Sequence, residues 1–229
     1  EASNNNRFSN NTVSSNTQHG IYIASSLNNT LSNNTVNGNS QYGIYLISTS
    51  NNNTLTNNIA NNNSGGITLN VSSSNNTITG NTANNNSYSG ISLLSSSNSN
   101  NLTGNTADSN STFGFRIEFS SGNILTGNTA RNNTAGIYAF TGSSNIFTGN
   151  TVENGQYGIF LRTSSDNNIL TNITSKNTSV GVMIDTSTGN TINQSRIYNN
   201  SQYDINFTGG SSNTATRNYL GDNLCNAKI

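Results

Sequence analysis

The sequence predicts an all-β solenoid of about ten coils, each winding once and stacking on the next. Three observations carry this. Asn recurs at Asn6, Asn29, Asn53, Asn76, Asn100, Asn123, Asn145, Asn168, Asn190 and Asn213, at intervals of 22–24 residues; a period in the twenties sustained along a chain marks a repeat array whose units bury apolar surface only against their neighbours. A Gly-led segment with apolar residues at alternate positions follows at a nearly constant offset, as in Gly43-Ile44-Tyr45-Leu46 and Gly90-Ile91-Ser92-Leu93, and alternation is the period of a strand. The chain also has no Pro and no sustained helical pattern.

Reading down the copies gives four inward columns. The first runs Phe8, Leu31, Leu55, Ile78, Leu102, Leu125, Phe147, Leu170, Ile192 and Ala215; the second, smaller, runs Val13, Val36, Ala60, Ala83, Ala107, Ala130, Val152, Thr174, Ile197 and Leu220. The third and fourth lie two residues apart on the Gly-led strand, from Ile21 and Ile23 to Ile205 and Phe207. Three short strands per coil are expected. Equivalent strands of successive coils run the same way, so the sheets are parallel, and ten coils at ~4.8 Å each make a rod roughly 48 Å long.

The abundance of Asn follows from the turns. Their inward backbone groups lack a ladder partner, and an Asn amide can satisfy both those groups and its own copy on the next coil. The anchor Asn are therefore expected to stack as a ladder. A second ladder is expected at Asn11, Asn34, Asn58, Asn81, Asn105, Asn128, Asn150 and Asn218, broken at Ile173 and Ser195.

Composition limits the partners. Hydrophobic residues make up 30% and charged residues 7%, with eight cationic and eight acidic side chains, so order comes from the pattern, and nothing points to nucleic acid or membrane insertion. The unbroken period makes residues 1–229 a single expected domain. One cysteine, Cys225, excludes an internal disulfide. An Asn/Ser/Thr-rich, charge-poor chain is expected outside the cell or on its surface, with any signal peptide removed before Glu1. Asn70, Asn110, Asn132, Asn177 and Asn206 begin Asn-x-Ser/Thr triplets and are candidate glycan acceptors.

Copies such as Asn123-Ile124-Leu125-Thr126-Gly127-Asn128-Thr129-Ala130 with Gly136-Ile137-Tyr138 resemble the right-handed parallel β-helix repeats of NosD-like and related carbohydrate-binding and sugar-hydrolase proteins. The resemblance covers essentially the whole chain and implies the fold strongly. It implies activity weakly, because the group includes enzymes, binders and surface proteins. Copper, which the NosD name implies, requires clustered soft or imidazole ligands, whereas His19, Met183 and Cys225 fall in separate coils. No metal or cofactor is expected.

Outward residues of the Gly-led strand are the place to look for function. Tyr22, Tyr45, Arg116, Tyr138, Phe140, Phe160 and Met183 form a candidate carbohydrate- or partner-binding face, interrupted at Thr68 and Ser92. Rings repeating once per rung suit an extended glycan. Glu118 and Asp185 are three rungs apart, roughly 14 Å at ~4.8 Å per rung, too far for a paired-carboxyl hydrolase. Every copy is short, which leaves no loop to wall a cleft. The leading expectation is thus a noncatalytic structural subunit stacking end to end through uncovered coil ends, including Leu224, Cys225 and Ile229. Carbohydrate binding is the alternative, and a polysaccharide lyase or hydrolase the third reading.

Overall fold

In the computed structural model, residues 2–221 are described in full and Ala227–Lys228 by their backbone. Each coil carries up to three strands, and all paired strands are parallel. The first sheet has ten three-residue strands, from Arg7–Ser9 to Thr214–Thr216. Another ten-stranded sheet, built mainly of six-residue strands such as Tyr42–Ile47 and Tyr157–Arg162, includes the Gly-led segments. The remaining face has a pair of strands at one end and five at the other, linked by single bridges through Ile59, Thr82 and Thr106.

The inward columns meet as one core. Leu31, Leu55, Ile78, Leu125, Phe147, Leu170 and Ile192 are buried in register on the first sheet, with Val36, Ala60, Ala83 and Ala107 beside them. One assignment changes: the second column passes through Ser175, not Thr174, since Ser175 aligns with Val152 and Ile197 and is fully buried. Its hydroxyl donates to the Gly181 carbonyl at 2.9 Å, which allows a polar group among aliphatics. Column two is small because the glycine corners press on it. A Cβ on Gly90 would lie 2.7 Å from both the Ala107 Cβ and the Gly114 carbonyl oxygen.

The ladders form through two bonds per rung. The backbone N–H of each anchor Asn donates to Oδ1 of the anchor one coil on, without a break from Asn6 through Asn29, Asn53, Asn76, Asn100, Asn123, Asn145, Asn168 and Asn190 to Asn213. In most rungs the side-chain Nδ2 donates to the same oxygen. The second ladder runs from Asn11 through Asn34, Asn58, Asn81, Asn105 and Asn128 to Asn150. It resumes with Ile173 N–H on the Ser195 hydroxyl and Ser195 N–H on Asn218.

Two further ladders are present. Asn16, Asn39, Asn63, Asn86, Asn110 and Asn133 form a third. The Ser-rich segments contribute a serine ladder that includes Ser26, Ser50 and Ser73. Nearly every ladder residue follows a residue with positive φ, such as Asn28 (58°), Asn57 (54°) and Gly104 (62°). Asn, Ser and Gly suit that left-handed position, so the Asn-Asn doublets divide into a turn former and a buried ladder member.

The five candidate glycan acceptors differ in exposure. Asn132 and Asn177 are exposed turn residues, whereas Asn110 and Asn206 are buried and Asn70 is half-buried against Tyr45. Asn110 and Asn206 are therefore withdrawn as acceptors. Leu224, Cys225 and Ile229, expected at the stacking end, lie outside the described residues.

Replacing Asn105 by Ala removes the acceptor for Asn81 N–H and the donor to the Ile78 carbonyl. Urea melts are expected to show a loss of about 1–3 kcal/mol, against about 0.5 kcal/mol or less for Thr77→Ala on the exposed face. Equal losses for the two variants would remove the ladder as a source of stability.

Candidate functional site

The long-strand sheet turns three side chains per coil outward, because the chain bends at the corner glycine. In the second coil Gly43 and Ile44 both face the core, so Tyr42 joins Tyr45 and Ile47 on the outside. Alternation alone assigns only two of these positions, which is why the residue before each glycine escaped the sequence reading. That column adds His19, Tyr42, Phe113 and Tyr157 to the face. Its signal is visible in the sequence as an aromatic preceding Gly at the coil period.

At one end of the face His19 stacks on Tyr22 and Tyr42, with centroids 5.4 Å away in each case and interplanar angles of 11° and 5°. Tyr45 tilts beneath them, 4.8 Å from His19 and 4.6 Å from Tyr42. The His19 Nδ1 accepts the Tyr42 backbone N–H at 3.4 Å, which assigns the proton of the neutral ring to Nε2. Burial lowers the His19 pKa and raises that of Tyr45, whose hydroxyl accepts from Asn70 Nδ2 at 3.0 Å.

Two rungs of small residues follow. Gly65 lies under the Tyr42 ring, and Thr68, Ser89 and Ser92 are buried although they point away from the core. The Ser89 and Ser92 hydroxyls bond each other at 2.8 Å, and Thr68 Oγ1 is buried without a partner.

A larger aromatic group centres on Tyr138. Phe113 stacks on it at 4.7 Å, Phe160 meets it edge-on at 5.7 Å, and Phe140 lies 6.5 Å away. The Arg116 guanidinium carbon lies 5.0 Å from the Tyr88 ring centroid, while its Nε and Nη2 donate to the two Glu118 oxygens at 2.7 and 2.6 Å. Arg162 covers Phe160 at 5.9 Å and pairs with Asp185 at 3.8 Å. Burial raises the Tyr138 pKa, opposed by a hydrogen bond from Arg162. Met183 continues the column in register with Phe160.

Two of the expected face residues thus change role. Tyr45 and Tyr138 are only 8% and 9% exposed, because the missed column packs against them. Tyr45 supports Tyr22, which is 55% exposed, and Tyr138 backs Phe113, against which the 40% exposed Tyr88 packs edge-on. Elsewhere Asp108, Arg131, Glu153 and Lys176 alternate in sign along another face at 3.5–3.6 Å, which accounts for them as neighbouring-rung ion pairs.

Residues 103–229 match the family described as periplasmic copper-binding protein (NosD), and residues 1–107 match the right handed beta helix region. The chain belongs to the NosD family. No curated protein matches it in sequence. Among solved structures it is similar to the periplasmic alginate epimerase AlgG, at 16% identity and a TM-score of 0.74 over 86% of this chain and 55% of that one. A second is the DFA-IIIase from Arthrobacter chlorophenolicus A6 without its lid, at 12% identity and 0.70 over 90% and 62%. A third is PfbA, a surface adhesin of Streptococcus pneumoniae, at 18% identity and 0.64 over 92% and 60%. The NosD-family chain spans 55–62% of the length of these proteins. What is shared at such identities is the fold.

These likenesses overturn the expectation that the chain is not an enzyme. Two of the three similar structures are enzymes, so the coil architecture is compatible with catalysis. Uniform copy length limits loops, yet it leaves every outward strand position free to carry chemistry. Copper fits less well. Among the described residues no three His, Cys, Asp or Glu side chains come together as a metal site. His19 and Met183 are seven rungs apart, roughly 34 Å at ~4.8 Å per rung, beyond a shared coordination sphere.

The buried phenols set a pH dependence. Burial favours the neutral form of Tyr45 and Tyr138, so the folded chain keeps these protons to higher pH than the unfolded chain, whose phenols titrate near 10.0. Their contribution to stability is present below that value and is lost as pH rises through the folded pKa. Urea melts between about pH 8 and about pH 11 should show falling stability, with a shallower fall when both residues are Phe; an unchanged slope would remove this assignment.

Proposed function

We propose that the chain is a carbohydrate-binding β-helix protein of the periplasm or cell surface, which holds an extended glycan across its aromatic face. The observation that carries this is the stacking of two ring groups, around Tyr45 and Tyr138, along one flat sheet. Buried supporting rings fix the exposed ones in place, so little side-chain entropy is lost when a sugar stacks on them. The parallel ladder repeats the rings at one-rung spacing, ~4.8 Å, close enough for neighbouring sugars of one chain to be met in succession. The NosD description as periplasmic, and the carbohydrate epimerase and surface adhesin that share the fold, support both the ligand class and the location.

Because the chain has nine Tyr and no Trp, its intrinsic emission reports phenols alone. Titration with soluble oligosaccharides and co-sedimentation with insoluble polysaccharides should change that emission and retain the protein. Tyr22→Ala and Phe160→Ala should each weaken binding by about tenfold, while Thr77→Ala on another sheet leaves it unchanged. Analysing the recovered glycan by NMR reads any conversion of the sugar in the same samples. The proposal fails if no glycan alters emission or sedimentation.

A further inference from the structure

The aromatic face carries charges, but they come in pairs. Arg116 is held by Glu118 through two bonds of 2.7 and 2.6 Å, and Arg162 lies 3.8 Å from Asp185. Each carboxylate is on the same sheet face as its arginine, and the Arg116–Glu118 pair is about four-fifths buried at both ends, with side-chain exposures of 20% and 18%. Between and around these pairs are rings and the hydroxyls of Thr68, Ser89 and Ser92.

We infer, building on the glycan reading above, that the bound chain is a neutral polysaccharide and not a polyuronate. A polyuronate presents a carboxylate on every sugar. Crossing the described part of this face, from His19 to Met183, it would lose hydration without meeting an arginine that lacks a carboxylate partner, and would meet Glu118 and Asp185 as like charges. A neutral sugar carries hydroxyls that both donate and accept. The arginine–carboxylate pair suits such groups: Nη1 of Arg116 is left as a donor beside the acceptor oxygens of Glu118. The specificity device is the internal neutralisation of Arg116, which separates this face from a cationic surface that would attract any acidic chain.

The test compares native protein with Glu118→Gln, using neutral oligosaccharides (β-glucan, xylan and mannan) and acidic ones (alginate and pectate) at low and raised salt. Native protein should bind at least one neutral series with little dependence on salt, and should not bind alginate or pectate. In Glu118→Gln the released Arg116 should produce alginate binding at low salt, at least about tenfold above the native background and abolished by raised salt, with an unchanged thermal melt as the folding control. If Glu118→Gln is misfolded, Asp185→Asn, which frees the more exposed Arg162, takes its place. Preference of native protein for alginate or pectate would overturn this inference and leave glycan binding standing. Failure of both native and variant protein to bind any glycan would overturn the two together.

Discussion

Every coil depends on a hydrogen bond between a backbone N–H at a tight corner and the side-chain amide of the Asn one coil further on. At such a corner the chain turns too sharply for its peptide groups to continue the sheet ladder, yet the groups point into a dry interior. An unpaired group there costs about 1–3 kcal/mol, and the corners recur several times per coil. The unbroken run from Asn6 to Asn213 shows the solution repeated at each level. At Ser195 a hydroxyl replaces the amide and accepts the Ile173 N–H, whereas Ile173 itself interrupts the second ladder.

The ladder imposes a second constraint, on shape. An amide can bridge to its copy only when coils are stacked directly in register, so insertions are confined to one or two residues per coil, and the sheets run straight enough for outward side chains to align. Flat columns of rings follow from that regularity. In this sense the candidate face is a by-product of the corners: Tyr22, Tyr45, Tyr138 and Phe160 occupy one column because Asn29, Asn53, Asn145 and Asn168 occupy another. The corner glycine sets the remaining geometry by bending the strand. The ninth coil departs from that rule, with Asp204 at the glycine place, fully buried and bonded to Asn200 and to the Gly221 N–H.

Function on such a scaffold is written in a small number of outward residues, and fold likeness alone cannot choose among them. An epimerase, a DFA-IIIase and an adhesin share the coil with this NosD-family chain at identities of 12–18%. What distinguishes this chain is its own surface: rings supported from beneath by other rings, and arginines neutralised by carboxylates on the same face. The described residues offer the family's copper no cluster of ligands.

The sequence by itself determined the architecture. Period, apolar columns and the two main Asn ladders were legible, because a solenoid places residues one period apart in contact and so turns a long-range structure into a one-dimensional pattern. It also placed Tyr22, Tyr45, Tyr138 and Phe160 on one face. Tertiary structure alone decided which of them are accessible, because exposure depends on neighbours that strict alternation does not assign: His19 and Tyr42 over Tyr45, and Phe113 against Tyr138. It likewise added the third Asn ladder and the serine ladder, whose members differ from the turn residues beside them only in backbone conformation, and it showed Arg116 bound to Glu118, a pairing of side chains two positions apart on a single strand that no spacing rule distinguishes from two free charges.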